Sequence, residues 1–213
     1  MYTIKENIIN RKNYGNKRTS IKYIVIHYTG NDGDSDESNS KYFKNNILSA
    51  SAHYFVDNDS VTNTVPDDYI AWHCGSKVYK HKFCRNSNSI GIELCDNIKN
   101  GDVYPTAKTI ENAISLTKAL MKKYNIPKEN VIRHYDVTGK LCPKYWVDDS
   151  KWRNEFWNKL SIELTAPKDI TNALNQNFFP ITDKQKFIKE MEEAKNNNSS
   201  LYWGYYKLVN NIK

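Results

Sequence analysis

The stretch Tyr23-Ile24-Val25-Ile26-His27-Tyr28-Thr29 sets an unbroken run of large apolar side chains directly against a histidine. A short apolar run without polar alternation is the mark of a strand covered on both faces, as in the centre of an α/β sheet. Ser89-Ile90-Gly91-Ile92-Glu93-Leu94 repeats the pattern, with an acid where packing alone would favour another apolar residue. Ala52-His53-Tyr54-Phe55-Val56 has strand composition and runs into the turn Asp57-Asn58-Asp59-Ser60, with Ser60-Val61-Thr62 as its hairpin partner. Val131-Ile132-Arg133-His134-Tyr135 is a further strand. From Ala107 to Tyr124 the period changes. Ala107, Ile110, Ala113, Ile114, Thr117, Leu120, Met121 and Tyr124 share one helical face, Pro105 precedes them, and Asn125 with Pro127 ends the run. This order predicts an α/β protein with a mixed central sheet and flanking helices.

Composition bounds the function. The 213 residues carry a net charge of +7, and mean hydropathy is −0.76. No segment approaches the ~20 apolar residues of a membrane-spanning helix, so membrane insertion is not expected. Met1 to Asn10 has no apolar stretch followed by small residues, which predicts synthesis in the cytoplasm without a signal peptide. Four cysteines, none in a Cys-x-x-Cys arrangement, do not make a disulfide scaffold. Residues 1–160 hold +6 of the charge, and residues 1–20 alone hold +4. Such a field attracts an anionic polymer or surface. Nothing resembles a basic recognition helix or an aromatic-interleaved single-strand binder, so a nucleic-acid partner is not expected.

Thr165-Ala166-Pro167-Lys168 is the natural boundary, separating a domain over 1–165 from a small helical segment over 166–213. Within that segment, Asp169–Asn177 and Asp183–Lys195 read as short helices. The aromatic end Leu201-Tyr202-Trp203-Gly204-Tyr205-Tyr206 offers a surface for wall glycan, for a second subunit or for packing. Oligomeric state is not legible. The acidic run Asp32-Gly33-Asp34-Ser35-Asp36-Glu37 lacks the twelve-residue register of a Ca²⁺-binding EF-hand and is expected as a solvated loop over the cleft rim.

Three candidate metal ligands stand at comparable places. His27 follows the apolar run, His134 ends the strand Val131–Arg133, and Cys142 lies in the loop just beyond. Ligands in α/β sheets gather at the carboxyl ends of strands. Two imidazoles and one thiolate suit tetrahedral Zn²⁺ with an open fourth position, the mark of a catalytic rather than a structural site. Taken singly, a histidine at a strand end is more often a satisfied core or surface residue than a ligand, and a lone cysteine is more often a small buried hydrophobe. Glu93 at a strand end can act as general base, and Lys140 can face a developing oxyanion. Singly, these two also read as a paired acid and an exposed cation.

Five ordered blocks then carry a family likeness. They are Ile24–Thr29, Ser51–Asp57, Ala71-Trp72-His73-Cys74-Gly75, Asn88–Glu93, and Arg133–Asp136 with Gly139-Lys140-Leu141-Cys142-Pro143. Over residues 20–160 the chain resembles the zinc-dependent N-acetylmuramoyl-L-alanine amidases of the amidase-2 family, which are related to peptidoglycan recognition proteins. The resemblance implies Zn²⁺ on His27, His134 and Cys142, with Glu93 as base and Lys140 as oxyanion stabiliser. Trp72 and His73 would line the substrate groove. It further implies hydrolysis of the muramoyl–alanine amide in the peptidoglycan of a Gram-positive wall, as an endolysin or autolysin acting after release. The alternative is a non-catalytic peptidoglycan-binding module, although relatives of that kind commonly lose the cysteine. Some relatives carry a catalytic tyrosine where this chain has Ala52, which shifts the base role to Glu93. Tyr54 alternates to the opposite face from His53 and is expected in the core. Cys74, Cys84 and Cys95 are expected as structural or free thiols.

Overall fold

A computed structural model describes residues 3–99, 101–160, 189, 192, 193, 196 and 197. The chain divides into two units, Met1–Ser161 and Ile162–Lys213, and the following concerns the first. Of the two helices expected in the tail, residues 189, 192 and 193 are helical. The remainder, with the aromatic end, lies outside the described residues.

The strands are β1 (Thr3–Glu6), β2 (Tyr14–Lys17), β3 (Tyr23–Asp32), β4 (Tyr54–Val56), β5 (Ser60–Asn63), β6 (Tyr69–Ala71), β7 (Ser89–Lys99), β8 (Asp102–Tyr104) and β9 (Val131–Arg133). The α-helices are α1 (Asp36–Asn45), α2 (Ala107–Tyr124), α3 (His134–Thr138) and α4 (Asp149–Glu155). The main sheet runs β1-β5-β4-β7-β3-β9, with β8 added to β7, and β2 pairs β6 separately. β3 lies parallel between β7 and β9, and β4 and β5 form the antiparallel hairpin with Val56 opposite Val61. The sheet is therefore mixed, as the element order requires.

Alternation along the strands sorts the two faces. Ile24, Ile26, Ile90, Ile92 and Leu94 pack against Ala113, Leu116 and Leu120 of α2 and against Trp146, Trp152 and Phe156. Each fully buried isoleucine or leucine contributes about 1.5–3 kcal/mol. Tyr54 joins this core, as its alternation demands. Tyr23 and Val25 face the other way, onto Cys74, Cys84 and Val137, so β3 is covered on both sides. Continuing that alternation brings His27 onto the second face.

Helix α2 has the bounds its apolar stripe predicts. The Thr106 side chain accepts from the Thr109 N–H, and Asn125 ends the helix in the left-handed region at φ 51°. Buried Asn112 reaches from α2 across to the hairpin turn and donates to the carbonyls of Asp57 and Asn58, at 2.9 and 3.1 Å. The acidic run departs from expectation. Ser35 and Ser38 exchange side-chain bonds to each other's N–H in a capping box, which starts α1 at Asp36. Asp36 is buried, and its carboxylate accepts from Ser60 Oγ at 3.0 Å and Thr62 Oγ1 at 2.6 Å. Part of the expected solvated loop is thus a helix tied to β5.

Candidate metal centre and active site

The centre assembles at the carboxyl end of three adjacent parallel strands. His27 on β3 stands in register with Glu93 on β7, and Glu93 in register with Phe55 on β4. On the far side β9 ends at Arg133, whose N–H and Nε–H both donate to Asp136 Oδ2, each at 2.9 Å. That bond turns the chain from strand into α3, so His134 opens a helix rather than closing the strand. Gly139 at φ 85° ends α3, a conformation glycine adopts without steric cost. The loop then folds back: the Tyr135 N–H donates to the Cys142 carbonyl at 2.9 Å, which returns Cys142 to the sheet edge.

Three sequence-distant donors converge here. The ligand atoms of His27, His134 and Cys142 lie within 4.8 Å of one another, and all three residues are buried. His27 Nδ1 is 3.8 Å from Cys142 Sγ and 3.9 Å from Glu93 Oε1. His134 Nδ1 and Glu93 Oε2 are buried without a hydrogen-bond partner. Buried polar atoms are rarely left unpaired, and two such atoms beside a thiol mark a place for a cation.

The electrostatics agree. Burial holds His27 well below the ordinary histidine value and brings His134 down to about 4, so both imidazoles offer lone pairs near neutrality. Burial pushes the Cys142 thiol up to about 12 and the Glu93 carboxyl up to about 8, with Lys140 opposing both shifts. Without a cation the cluster prefers neutral forms. A divalent ion reverses that preference and deprotonates a coordinating thiol. The residues present therefore fit Zn²⁺ by donor type, number and placement.

Two cavities meet at the centre and share exposed Lys140. One, of about 680 Å³, is lined by Tyr28, Thr29, Asp34, Tyr42, Phe55 and Glu93 among others. The other, of about 590 Å³, is lined by Ser49, Trp72, His73, Asn86 and His134 among others. Trp72 is half-buried at the wall of the second cavity. His73 reaches that wall too, yet both its ring nitrogens turn inward, Nδ1 to His27 Nε2 at 3.0 Å and Nε2 towards Ser89. Read from the sequence as a groove-lining residue, His73 keeps no ring nitrogen for a ligand.

Several contributors are not prominent in the sequence. His53 lies with His73 in an edge-to-face ring contact, its Nδ1 accepting from the Gly91 N–H at 3.0 Å and its Nε2 against Arg18 Nη2 at 2.7 Å. A Cβ on Gly91 would meet the His73 ring at 2.5 Å. Glycine inside a strand signals just such a close approach, and Gly91 between two isoleucines is the available clue. Cys74, Cys84 and Cys95 are free and buried.

A mixed sheet whose carboxyl edge gathers two imidazoles, a thiol and a carboxylate has the make-up of a site that could hold a metal ion. The chain belongs to the N-acetylmuramoyl-L-alanine amidase family Amidase_2, whose model matches residues 17–145. It is 33% identical over 172 residues to the amidase CwlL of Bacillus licheniformis, covering 75% of this chain and 47% of that one. To CwlH of Bacillus subtilis (strain 168) it is 35% identical over 176 residues, covering 79% and 65%. The chain thus spans about half the length of most curated relatives it matches. The solved catalytic domain of XlyA superposes with a TM-score of 0.63 at 30% identity, over 74% of this chain and 99% of that domain. A mutant endolysin from Bacillus subtilis gives 0.64 at 30% identity, over 75% and 99%.

Proposed function

We propose that this chain is a zinc-dependent peptidoglycan amidase of endolysin or autolysin type. It cleaves the amide between the lactyl group of N-acetylmuramic acid and the L-alanine of the stem peptide in a Gram-positive wall. The observation that carries this reading is the convergence of His27, His134 and Cys142 beside Glu93. Amidase relatives from Bacillus support the substrate class. In this reading residues 1–165 form the catalytic domain and residues 166–213 a small C-terminal module for wall binding or self-association.

His27 Nδ1, His134 Nδ1 and Cys142 Sγ would hold the ion. Zn²⁺ held there would supply a Lewis acid able to polarise the scissile carbonyl and acidify water. Glu93 takes a proton from the attacking water and returns it to the departing alanine nitrogen, a two-way role suited to a carboxylate placed beside the ligand cluster. Lys140 sits where the two cavities join and offers its ammonium to the tetrahedral oxyanion. Trp72 walls the groove on the His134 side. The positive field of residues 1–160 favours residence on an anionic wall, an attraction that salt weakens.

The test is digestion of purified walls with the intact chain, with and without chelator. New N-terminal alanine without new reducing sugar, abolished by chelator and restored by zinc, is the expected result. Wall binding without release of alanine would instead make the chain a binding module.

A further inference from the structure

We infer that His73 is a positioning residue for the metal centre, fixing the tautomer of His27 so that the ring's Nδ1 is free for an ion. The inference rests on the assignment of His27 as a ligand and adds to it a residue that does not touch the ion.

A backbone carbonyl has no proton to give, and the Ser89 carbonyl lies 3.3 Å from His73 Nε2. Ser89 Oγ lies 3.1 Å from the same nitrogen, and its own proton is committed to the Arg85 carbonyl at 2.7 Å. Both Ser89 oxygens therefore accept, and His73 Nε2 carries the proton. In a neutral ring His73 Nδ1 is then the acceptor, and it faces His27 Nε2 at 3.0 Å. His27 Nε2 must donate, so its remaining nitrogen, Nδ1, bears the lone pair. That nitrogen is the one beside Cys142 Sγ and Glu93. Metal-binding histidines commonly have their free tautomer set by such an outer hydrogen bond.

The surroundings hold this arrangement in place. The Ser89 carbonyl also accepts from Arg18 Nη1, so the terminal acceptor is itself anchored. The His73 ring occupies space that exists because residue 91 is glycine. A groove-lining role requires none of this.

The test has two arms on the full chain. The first uses the unaltered, metal-free protein with ¹⁵N-labelled histidine and long-range ¹H–¹⁵N correlation. His27 and His73 should both appear as the Nε2–H tautomer. A proton on Nδ1 of either ring overturns the inference. The second arm measures zinc affinity by chelator competition. His73→Leu removes the acceptor and should weaken zinc binding about 10- to 100-fold. His73→Asn, whose amide oxygen can reach the place of Nδ1, should recover most of it. Thermal melting confirms that each variant is folded, and the first arm needs no variant. A folded His73→Leu chain that holds zinc as tightly as wild type overturns the role of His73 alone. A wild-type chain that holds no zinc overturns the ligand assignment instead, so the two failures are separable.

Discussion

At the scale of single residues, burial sets the protonation of the centre and so its response to pH. Both imidazoles are held neutral, whereas the Cys142 thiol is pushed up to about 12 and must release its proton when an ion binds. Above the ordinary histidine range, one proton should leave for each ion taken up. The affinity should then rise about tenfold per pH unit. The measurement is cleanest in a Glu93→Gln chain, which lacks the neighbouring carboxyl that also titrates near pH 8. Competition titrations between about pH 6.5 and 8 check the slope, and a flat profile would remove Cys142 from the ligand set. The same variant tests the base. Glu93→Gln should lose about 10²- to 10⁴-fold in alanine release from walls while keeping its zinc. Retention of full activity would assign proton transfer elsewhere.

Secondary-structure elements give the centre its frame, and here the reading of the sequence succeeds unevenly. Long periodic signals survive folding intact: α2 has the bounds its stripe predicts, and the hairpin Tyr54–Asn63 pairs as its turn residues require. Helix α1 was hidden because its sequence, Asp-Glu-Ser-Asn-Ser-Lys-Tyr-Phe-Lys-Asn, has no continuous apolar stripe. It exists through a serine capping box and a buried aspartate held by β5. His134 was expected at a strand end, and the Arg133–Asp136 bond, local but conformation-dependent, makes it the start of α3. Asn112 is the clearest polar link between elements. Asn112→Leu would leave the buried carbonyl of Asp57 without its donor, costing about 1–3 kcal/mol, whereas the carbonyl of exposed Asn58 can turn to water. Thermal melting should show that loss. Zinc affinity at moderate temperature should be unchanged, because the link lies on the α2 side of the sheet.

At the scale of the whole domain, the residues proposed as ligands, base and oxyanion cation stood out in the sequence because each sits at a strand end or in a short loop with an unusual residue type, and the fold brings His27, His134 and Cys142 together. The supporting shell did not stand out. His53, Arg18 and Ser89 look like ordinary strand and loop residues, and only the packing of β4, β7, the Trp72–Cys74 segment and the chain just after β2 brings them behind His27. Long-range pairing of this kind leaves no periodic trace in a single chain.

The register of His27 with Glu93 has a consequence for how such a domain can change. Neighbouring strands lie about 4.8 Å apart, held by backbone hydrogen bonds that do not depend on side-chain identity. The separation between the candidate ligand His27 and the proposed base Glu93 is thus a lattice constant of the sheet rather than a property of any loop. The cavity walls, by contrast, come largely from α1, from the segment around Trp72 and from the loop carrying Lys140. Wall segments can be lengthened, exchanged or recharged to suit a different polymer while the reacting atoms keep their spacing. Chemistry and selectivity occupy separable parts of the chain.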